Sequence, residues 1–284
     1  MTAVDLERYD NFLFDCDGVM WCGKRAIPGS FEALNKLQEM GKRVFFLTNC
    51  ASSTTKNLAK KITRRGYRCT AKQVFGSALA TAVYLRKRYP SIHKVFLIGQ
   101  DAFRRELESQ GLTVVHSSDF PPGQVKDWAD LKTIQPDSDI GAVVLATQMS
   151  FTYHAACYAS ICVQKGAKLV ASSHDSYFEV EGGVRMMGAG AFVTYIETAT
   201  GQMAEVVGKP SPFYMEWAQE RDHLDPRRTL MIGDMIESDI QFAHNAGIDS
   251  ALVLTGVTKE ADLADLVLEP TYVLADVAAL LRTN

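Results

Sequence analysis

Two aspartates directly after a short apolar run constrain the fold of this chain more than any other stretch. Residues 12–14 are apolar and Gly18 follows, which predicts a buried strand that ends in a sharp turn. The strand delivers Asp15 and Asp17 to its C-terminal end. Carboxylates at the edge of a buried sheet repel one another and resist desolvation, so we expect a cation or a reaction beside them. The alternative is an ordinary Asp17-Gly18 turn, with Asp15 as a helix cap or a solvated acid.

The size and charge of the chain limit the classes of function. Its 284 residues are 47% hydrophobic and 22% charged, which suits a globular protein of one large or two ordinary α/β domains. The formal net charge of −3 argues against nucleic acid or an anionic membrane as the main partner, because both require a basic surface. The basic stretch 60–65 lies on a helical pattern, and we interpret it as the solvated face of that helix.

The sequence predicts a cytoplasmic protein without zinc or disulfides. No apolar run is long enough to span a bilayer, and residues 1–10 lack the pattern of a signal peptide. The six cysteines form no CxxC pair, so neither a zinc site nor a disulfide framework is predicted. Cys16 and Cys50 lie beside candidate site residues, and this leads to the hypothesis that oxidants lower the activity.

Alternating strand and helix patterns predict two parallel-sheet units, one inserted within the other. The pattern restarts near Lys94, and candidate site residues resume after this second stretch. We therefore predict an α/β fold with a Rossmann-like, doubly wound parallel-sheet core at residues 1–82 and 187–284, and an inserted α/β domain at 83–186. Within the insertion, residues 117–139 are rich in Pro, Asp and Ser and predict an irregular surface loop.

Local signals add expectations about helix ends and turns. Ser30 is predicted to cap a helix that ends at Gly41. The motifs Glu-Gly-Gly at 181–183 and Gly-Ala-Gly at 188–190 bracket the return from the insertion and suit hinges or tight loops. The tail from Tyr272 is predicted to supply a short strand and a closing helix.

Three further apolar runs also end in polar residues suited to catalysis. Thr48 and Asn49 follow one run, Lys209 follows another, and Asp234 follows a third, with Asp239 a little more than one helical turn later. Because ligands bind beyond the carboxyl ends of the strands in an open parallel sheet, we expect these residues to meet the two N-terminal aspartates at one site. The alternatives are a plain N-cap cluster after the first run and a solvated loop lysine after the second.

The predicted set of side chains suits a divalent cation that holds a phosphate. Mg²⁺ is bound in proteins by one or two carboxylates together with phosphate oxygens and water. A lysine offsets phosphate charge, while a hydroxyl and an amide orient its oxygens. An aspartate can itself attack phosphorus and form an aspartyl-phosphate. A second acid can protonate the leaving oxygen and later accept a proton from water.

In kind and order, these motifs resemble the haloacid dehalogenase (HAD) superfamily of phosphatases over essentially the whole chain. The matching motifs are Asp-x-Asp-Gly at 15–18, Thr-Asn at 48–49, Lys209, and Gly-Asp-x-x-x-Ser-Asp at 233–239. More narrowly, the chain is similar to the branch of p-nitrophenyl, phosphoglycolate and pyridoxal phosphate phosphatases, whose local patterns match residues 15–21, 181–183 and 207–211. This resemblance implies a large α/β cap between the Thr and Lys motifs.

The resemblance also implies catalytic roles for the matching residues. Asp15 would be the nucleophile, and Asp17 the general acid and base. Thr48, Asn49 and Lys209 would bind the transferring phosphoryl group.

The same resemblance implies a Mg²⁺ site. The ion would be held by the Asp15 carboxylate, the Asp17 backbone carbonyl and Asp234, with Asp239 ordering a metal-bound water. Two positions depart from the usual pattern. Cys50 stands where relatives commonly have a second Asn, which puts one phosphate donor in doubt, and Glu237-Ser238 stands where an acid or amide followed by Thr is more usual.

A loop in the predicted insertion aligns with the substrate-specificity loop of that branch. It spans residues 172–178 and offers His174, Asp175, Tyr177 and Phe178 as candidates. The two aromatic rings would stack on a flat leaving group, and His174 or Asp175 would contact a polar substrate. The alternative is that the aromatics pack within the cap. Pyridoxal-directed relatives tend to have His at the position of Phe178, which argues against that substrate.

We therefore expect an enzyme that hydrolyses small-molecule phosphate monoesters with Mg²⁺ and through an aspartyl-phosphate. Phosphoglycolate-like or aryl phosphates are the expected substrates, including p-nitrophenyl phosphate in vitro. A homodimer through the cap is a further expectation. Two alternatives are a phosphotransferase that passes the phosphoryl group to an alcohol, and a regulatory module that keeps the metal site without turnover.

Overall fold

The computed structural model describes residues 4–120, 126–180 and 184–282 of the chain. The motif at 181–183, predicted as a hinge or tight loop, lies outside the described residues. The chain divides into two compact units. The first is formed by the segment up to Thr48, by Thr55–Gly76 and by the segment from Lys209 onward, and the second by Asn49–Thr54 and Ser77–Gly208.

Strands and helices alternate along the described residues. The strands, numbered in chain order, are Asn11–Phe14 (β1), Trp21–Cys22 (β2), Arg25–Ala26 (β3), Arg43–Thr48 (β4), Val74–Gly76 (β5), Lys94–Ile98 (β6), Thr113–His116 (β7), Ala142–Leu145 (β8), Lys168–Ala171 (β9), Tyr177–Val180 (β10), Val184–Met187 (β11), Glu205–Val206 (β12), Thr229–Gly233 (β13), Asp249–Val253 (β14) and Tyr272–Leu274 (β15). The α-helices are Ser30–Glu39 (α1), Thr55–Thr63 (α2), Ser77–Arg88 (α3), Asp101–Ser109 (α4), Trp128–Leu131 (α5), Tyr153–Gln164 (α6), Ala189–Thr200 (α7), Phe213–Asp222 (α8) and Gln241–Ala246 (α9).

Six strands of the first unit form a parallel sheet in the order β15-β14-β13-β1-β4-β5. The chain proceeds outward from β1 on one side and from β13 on the other, so the strand order reverses between these two strands. Their register pairs Asn11 with Thr229 and Phe14 with Ile232. In such sheets the crossovers diverge at the reversal and leave a crevice beyond the strand ends. The residues that follow β1 and β13 therefore lie at this crevice.

Apolar side chains cover both faces of this sheet. Phe14 and Phe46 belong to a buried cluster that includes the apolar faces of α1 and α2. Phe45 points to the opposite face, because side chains alternate along a strand. On that face its ring centroid lies 5.9 Å from that of Phe75, which in turn lies 5.0 Å from the ring of Trp217 in α8. Burial on both faces accounts for the near-continuous apolar runs in the sequence, and the predicted doubly wound core is confirmed.

The second unit contains its own parallel sheet, in the order β12-β9-β8-β6-β7. Aromatic side chains fill part of its core, where the rings of Phe96 and Tyr158 lie 4.6 Å apart. Strands β10 and β11 form a separate antiparallel pair. This pair was not predicted, because residues 172–178 were assigned to a loop and residues 181–183 to a hinge or tight loop.

The second unit extends further than the predicted insertion at 83–186. Helix α3 packs against α4, and α7 packs against α6 and β8. Strand β12 also joins the second sheet, through β9. The predicted boundaries fall inside α3 and β11, because a sequence pattern shows where an element lies but not which sheet it covers.

Three local predictions need correction. Gly29 is the N-cap of α1, with a φ of 78°, whereas Ser30 lies inside the helix and its Oγ donates to the Ile27 carbonyl over 2.8 Å. The closing helix of the tail is a 3₁₀ helix, Val277–Leu281. The predicted irregular loop at 117–139 contains α5 and the 3₁₀ turn Ser117–Asp119, and its residues 121–125 lie outside the described ranges.

In the part of the chain that the structure describes, no helix is both long and apolar enough to cross a bilayer.

Candidate active site

Asp15 follows β1 and lies at the crevice between β1 and β13. Its backbone N–H donates to the carbonyl of Ile232 over 2.9 Å, so the sheet still holds the residue, and its side chain is buried. Gly18 then turns the chain with a φ of 81°. A Cβ added at Gly18 would lie 2.3 Å from Asp234 Oδ2. Both the backbone angle and the close approach of Asp234 therefore require glycine here.

Lys209 connects two of the predicted acids. Its Nζ donates to Asp15 Oδ1 and, over 2.6 Å, to Asp239 Oδ1, and only 2% of the residue is exposed. A third contact of 3.4 Å reaches the carbonyl of Leu47 in β4. We expected this lysine to follow a strand of the same sheet as the other site residues. That expectation is wrong, because the preceding strand β12 belongs to the sheet of the second unit.

Asp234 follows β13 directly and is enclosed by the loop after β14. Its Oδ2 accepts a hydrogen bond from the Val257 N–H over 2.7 Å, and its carbonyl accepts one from the Thr258 N–H over 3.0 Å. A Cβ added at Gly256 would lie 1.8 Å from Asp234 Oδ2. Gly256 and Val257 were not predicted as site residues. The available signal was a glycine shortly after an apolar strand.

Asp239 stabilises the turn that carries Asp234. Its Oδ2 accepts hydrogen bonds from the backbone N–H groups of Asp234 and Met235, over 3.0 and 3.1 Å. The residue is buried within a π-helical turn, Ile236–Ile240. One oxygen of Asp239 thus fixes the direction of the Asp234 segment, while the other binds Lys209.

Asp15, Asp234 and Asp239 form a buried acid cluster in which one carboxylate oxygen of each lies within 4.8 Å of the others. Burial raises the pKa of Asp15 well above its ordinary value; Lys209 opposes this rise, whereas Asp239 and Asp234 add to it. Burial, with repulsion from Asp239, raises the pKa of Asp234 to about 7. Burial alone would lower the pKa of Lys209, but Asp15 and Asp239 outweigh it and the pKa is raised. The cluster therefore favours an additional positive charge.

Asp17 lies two residues beyond Asp15 and is exposed. Its Oδ1 accepts a hydrogen bond from Trp21 Nε1 over 2.7 Å. Asp17 is not part of the acid cluster that Asp15, Asp234 and Asp239 form among the described residues. A carboxylate held in place but open to solvent is suited to proton exchange. Trp21 was not predicted as a site residue, although it lies within the motif at 15–21 noted in the sequence.

Thr48 and Asn49 are neighbours in the chain but belong to different units. Thr48 ends β4, the strand beside β1, and its carbonyl accepts a hydrogen bond from the Tyr214 hydroxyl over 3.0 Å. Asn49 Nδ2 donates to Asp175 Oδ2 over 3.0 Å within the second unit. The first of these residues is thus placed by the sheet that carries Asp15, and the second is hydrogen-bonded to a candidate of the specificity loop.

The other candidates of the specificity loop lie in or beside β10. His174 Nε2 lies 3.6 Å from Glu197 Oε2. The guanidinium carbon of Arg185 lies 4.2 Å from the centroid of the Tyr177 ring, so this ring has a cation–π partner on β11. Phe178 is 41% exposed. The Tyr177 ring therefore packs within the unit, whereas the ring of Phe178 is accessible to solvent.

Cys16 is poorly suited to react with oxidants. The residue is fully buried, and burial raises the pKa of its thiol well above the ordinary value, with further contributions from Asp15 and Asp17. Because the thiolate is the reactive form, the structure does not support the oxidant hypothesis for Cys16. Cys50 is exposed, with its Sγ 3.0 Å from Ser52 Oγ, and for this residue oxidant sensitivity stays a prediction.

A doubly wound parallel sheet with a lysine and an acid cluster at its order reversal defines an α/β enzyme. Residues 12–113 match the family model of haloacid dehalogenase-like hydrolases, and residues 206–280 match the HAD-hydrolase-like model. The chain is 32% identical over 280 residues to phosphoglycolate phosphatase 2 of Arabidopsis thaliana, which covers 96% of this chain and 92% of that protein. It is 31% identical over 284 residues to 4-nitrophenylphosphatase of Schizosaccharomyces pombe, covering 98% and 95%.

Structural similarity leads to the same family. A glycerol phosphate phosphatase from Mycobacterium tuberculosis, solved in complex with magnesium, matches with a TM-score of 0.81 and 28% identity, over 97% of this chain and 77% of that one. This chain belongs to the haloacid dehalogenase-like hydrolase family. The predicted family, and the enzyme class of HAD-type phosphatase, are thereby confirmed.

Proposed function

We propose that the protein is a Mg²⁺-dependent phosphatase that hydrolyses small-molecule phosphate monoesters through an aspartyl-phosphate on Asp15. The observation that carries the proposal is the buried arrangement of Lys209 with Asp15, Asp234 and Asp239 at the reversal between β1 and β13. Relatives named for phosphoglycolate and for 4-nitrophenyl phosphate support this class of substrate.

The acid cluster fits a hard divalent cation. Asp15 and Asp234 each offer a carboxylate oxygen there, and Mg²⁺ prefers such oxygens together with water and phosphate. We propose that these two side chains and the Asp17 carbonyl hold the ion, while Asp239 orients the surrounding groups. When bound, Mg²⁺ would neutralise negative charge on the phosphoryl group. The magnesium complex of the Mycobacterium tuberculosis phosphatase supports this choice of metal.

The first half of the proposed reaction transfers the phosphoryl group to Asp15. Lys209 stabilises the ionised form of Asp15 and offsets phosphate charge, and Thr48 and Asn49 orient the phosphoryl oxygens. An oxygen of Asp15 bonds to phosphorus as the bond from phosphorus to the leaving oxygen breaks. Asp17, oriented by Trp21, gives its proton to that oxygen.

The second half regenerates the free carboxylate. Asp17, now ionised, takes a proton from a water molecule whose oxygen attacks the aspartyl-phosphate. The bond between phosphorus and Asp15 breaks, phosphate is released, and Asp17 is again protonated. Each residue thus returns to its starting state after one turnover.

Selection of the leaving group by the second unit is part of the proposal. Within that unit, Asp175 is hydrogen-bonded to Asn49, and Phe178 offers an accessible ring for an aryl group. Phosphoglycolate-like and aryl phosphates are therefore the proposed substrates. Dimerisation through this unit and a cytoplasmic location stay predictions.

Release of phosphate from 4-nitrophenyl phosphate, 2-phosphoglycolate and glycerol 3-phosphate tests the proposal. We expect release with Mg²⁺, none after the metal is removed, and none from Asp15→Asn, which should keep the circular dichroism of the wild type. Glu32→Gln, at an exposed acid of α1, is the matched control and should retain activity. Metal-independent release, or full activity of Asp15→Asn, would contradict the proposal. Transfer to an added alcohol in place of water would favour a phosphotransferase.

A further inference from the structure

Positive charge is strongly segregated in the first part of this chain. No Asp or Glu occurs between Glu39 and Asp101, whereas thirteen of the 30 Lys and Arg residues lie in that interval. The chain as a whole carries a formal charge of −3. A local excess of cations in an otherwise acidic protein indicates a surface for an anion.

Helix α2 and the two residues after it carry two rows of cations that differ in their partners. Lys61 and Arg65 pack on Trp21, at 3.9 and 5.2 Å from the centroid of its ring system. Lys56 and Lys60 lie on another side of α2, and Arg64 directly follows the helix; all three are exposed.

Lys56, Lys60 and Arg64 form the exposed row, and none of them makes an ion pair with an acid among the described residues. They are spaced four residues apart, so neighbouring charges lie about 6 Å apart along the helix axis. Like charges at this spacing repel each other, and a bound anion would relieve the repulsion.

These three cations line a groove of about 370 Å³ on the surface of the first unit. Thr63 and Cys69 also line it. The Thr63 hydroxyl donates to the Ala59 carbonyl over 2.9 Å and accepts from the Cys69 N–H over 3.1 Å, which fixes one wall. Burial raises the pKa of the Cys69 thiol to about 12, so this wall remains uncharged at neutral pH. All charged side chains that line the groove are therefore positive.

We propose that this groove binds a small, multiply charged phosphate compound, at a site separate from the acid cluster. Its volume lies in the range of small-ligand sites. The row of Lys56, Lys60 and Arg64 spans about 12 Å, which suits a linear chain of phosphates better than a single one. Lysine and arginine are the usual phosphate-binding side chains, and arginine adds paired donors. None of the lining residues belongs to the acid cluster.

Calorimetric titration of the metal-free 284-residue chain with sodium tripolyphosphate tests the proposal. We expect one bound tripolyphosphate per chain and an affinity that falls as NaCl is raised. Lys60→Gln/Arg64→Gln should weaken binding by roughly tenfold or more, because two charge-assisted contacts are lost. Lys132→Gln/Lys165→Gln removes two exposed cations of the second unit and is the control of equal charge change. It should bind like the wild type.

Activity measurements separate this site from the proposed catalytic one. Both double variants should keep kcat/KM for 4-nitrophenyl phosphate within about twofold of the wild type, since neither touches the acid cluster. The proposal is overturned if the wild type binds no tripolyphosphate, if the groove variant binds it as tightly as the wild type, or if both variants lose affinity equally. The second outcome would assign the binding to the catalytic site, and the third to general surface charge.

Discussion

Lys209 Nζ and Asp239 Oδ1 are joined by a 2.6 Å hydrogen bond between two buried residues. The other oxygen of Asp239 accepts hydrogen bonds from the backbone N–H groups of the turn that carries Asp234. Lys209 also contacts Asp15. A single lysine therefore connects the proposed nucleophile to the proposed metal-binding turn. Loss of this link should affect stability and chemistry together.

Replacing Lys209 with methionine should destabilise the metal-free protein by about 3–5 kcal/mol, because removing one partner leaves buried carboxylates unpaired. Urea unfolding measures the loss. The exposed Lys36–Glu39 pair provides a control, and Lys36→Met should change stability by less than about 0.5 kcal/mol. In a double-mutant cycle, Lys209→Met and Asp239→Asn should couple by roughly 1–3 kcal/mol. Additive effects of the two substitutions would refute the link.

The raised pKa of Asp234 makes the metal-free protein sensitive to pH. Burial, aided by Asp239, raises this pKa from 3.8 to about 7, so the folded chain holds the proton more tightly than the unfolded chain. The protonated form of Asp234 therefore stabilises the folded chain relative to ionised Asp234, and this stabilisation is lost as pH rises from about 4 to about 7. Urea unfolding of the metal-free protein at pH 5 and pH 8 measures the difference, and Asp234→Asn should reduce it.

Mg²⁺ affinity should change with pH in the opposite direction. Binding requires the ionised carboxylates of Asp15 and Asp234, whose pKa values are raised, so protons compete with the metal at low pH. Apparent affinity should increase between about pH 6 and pH 8, with proton release on binding. Calorimetry in buffers of different ionisation enthalpy measures both quantities. An affinity that stays constant across this window would show that these carboxylates are not the ligands.

Gly256→Ala should damage the site more than the fold. The added Cβ would lie 1.8 Å from Asp234 Oδ2, so the carboxylate or the loop must shift. A displacement of about 1 Å in catalytic geometry can cost roughly 100-fold in rate, and we expect a loss of kcat/KM of this order. Gly76→Ala is the control, because its Cβ would meet only Thr55 Cγ2 at 3.4 Å. Equal activities of the two variants would argue against a role for this loop.

Alkylation should distinguish the cysteines near the site. Cys16 is buried with a raised pKa, whereas Cys22 and Cys50 are exposed. Brief treatment of the native protein with iodoacetamide should therefore modify Cys22 and Cys50 and spare Cys16, as measured by peptide mass spectrometry. Rapid modification of Cys16 would mean that the β1 end opens in solution. If peroxide lowers the activity, Cys50→Ser should abolish that effect.

The core and most of the acid cluster follow from local patterns. The apolar run before Asp15 is continuous because both faces of its strand are buried, and Asp234 follows a second strand of the same kind. In a parallel sheet such strand ends share one edge, which allowed residues more than two hundred positions apart to be placed together.

Other parts of the site depend on tertiary contacts that leave little trace in sequence. Gly256 is required only because Asp234 occupies the adjacent space, and Trp21 is relevant only because its ring nitrogen reaches Asp17. Lys209 contacts Asp15 and Asp239, but the strand before it pairs in the other sheet, so the reasoning from strand ends does not explain its position. The order of residues in the chain likewise gave no indication that Asn49 belongs to the second unit.

The pairing of β1 with β13 has a consequence for synthesis of the protein. Asn11 and its partner Thr229 are separated by 218 positions, and the whole second unit is translated between them. At a synthesis rate of about 5–20 residues per second, roughly 10–40 s pass between translation of β1 and translation of β13. The interrupting segment carries every strand of a second sheet, and all of them are translated before Thr229. A nascent chain halted before Thr229 would thus contain all strands of the second sheet and an N-terminal aspartate still lacking its distant acidic partners.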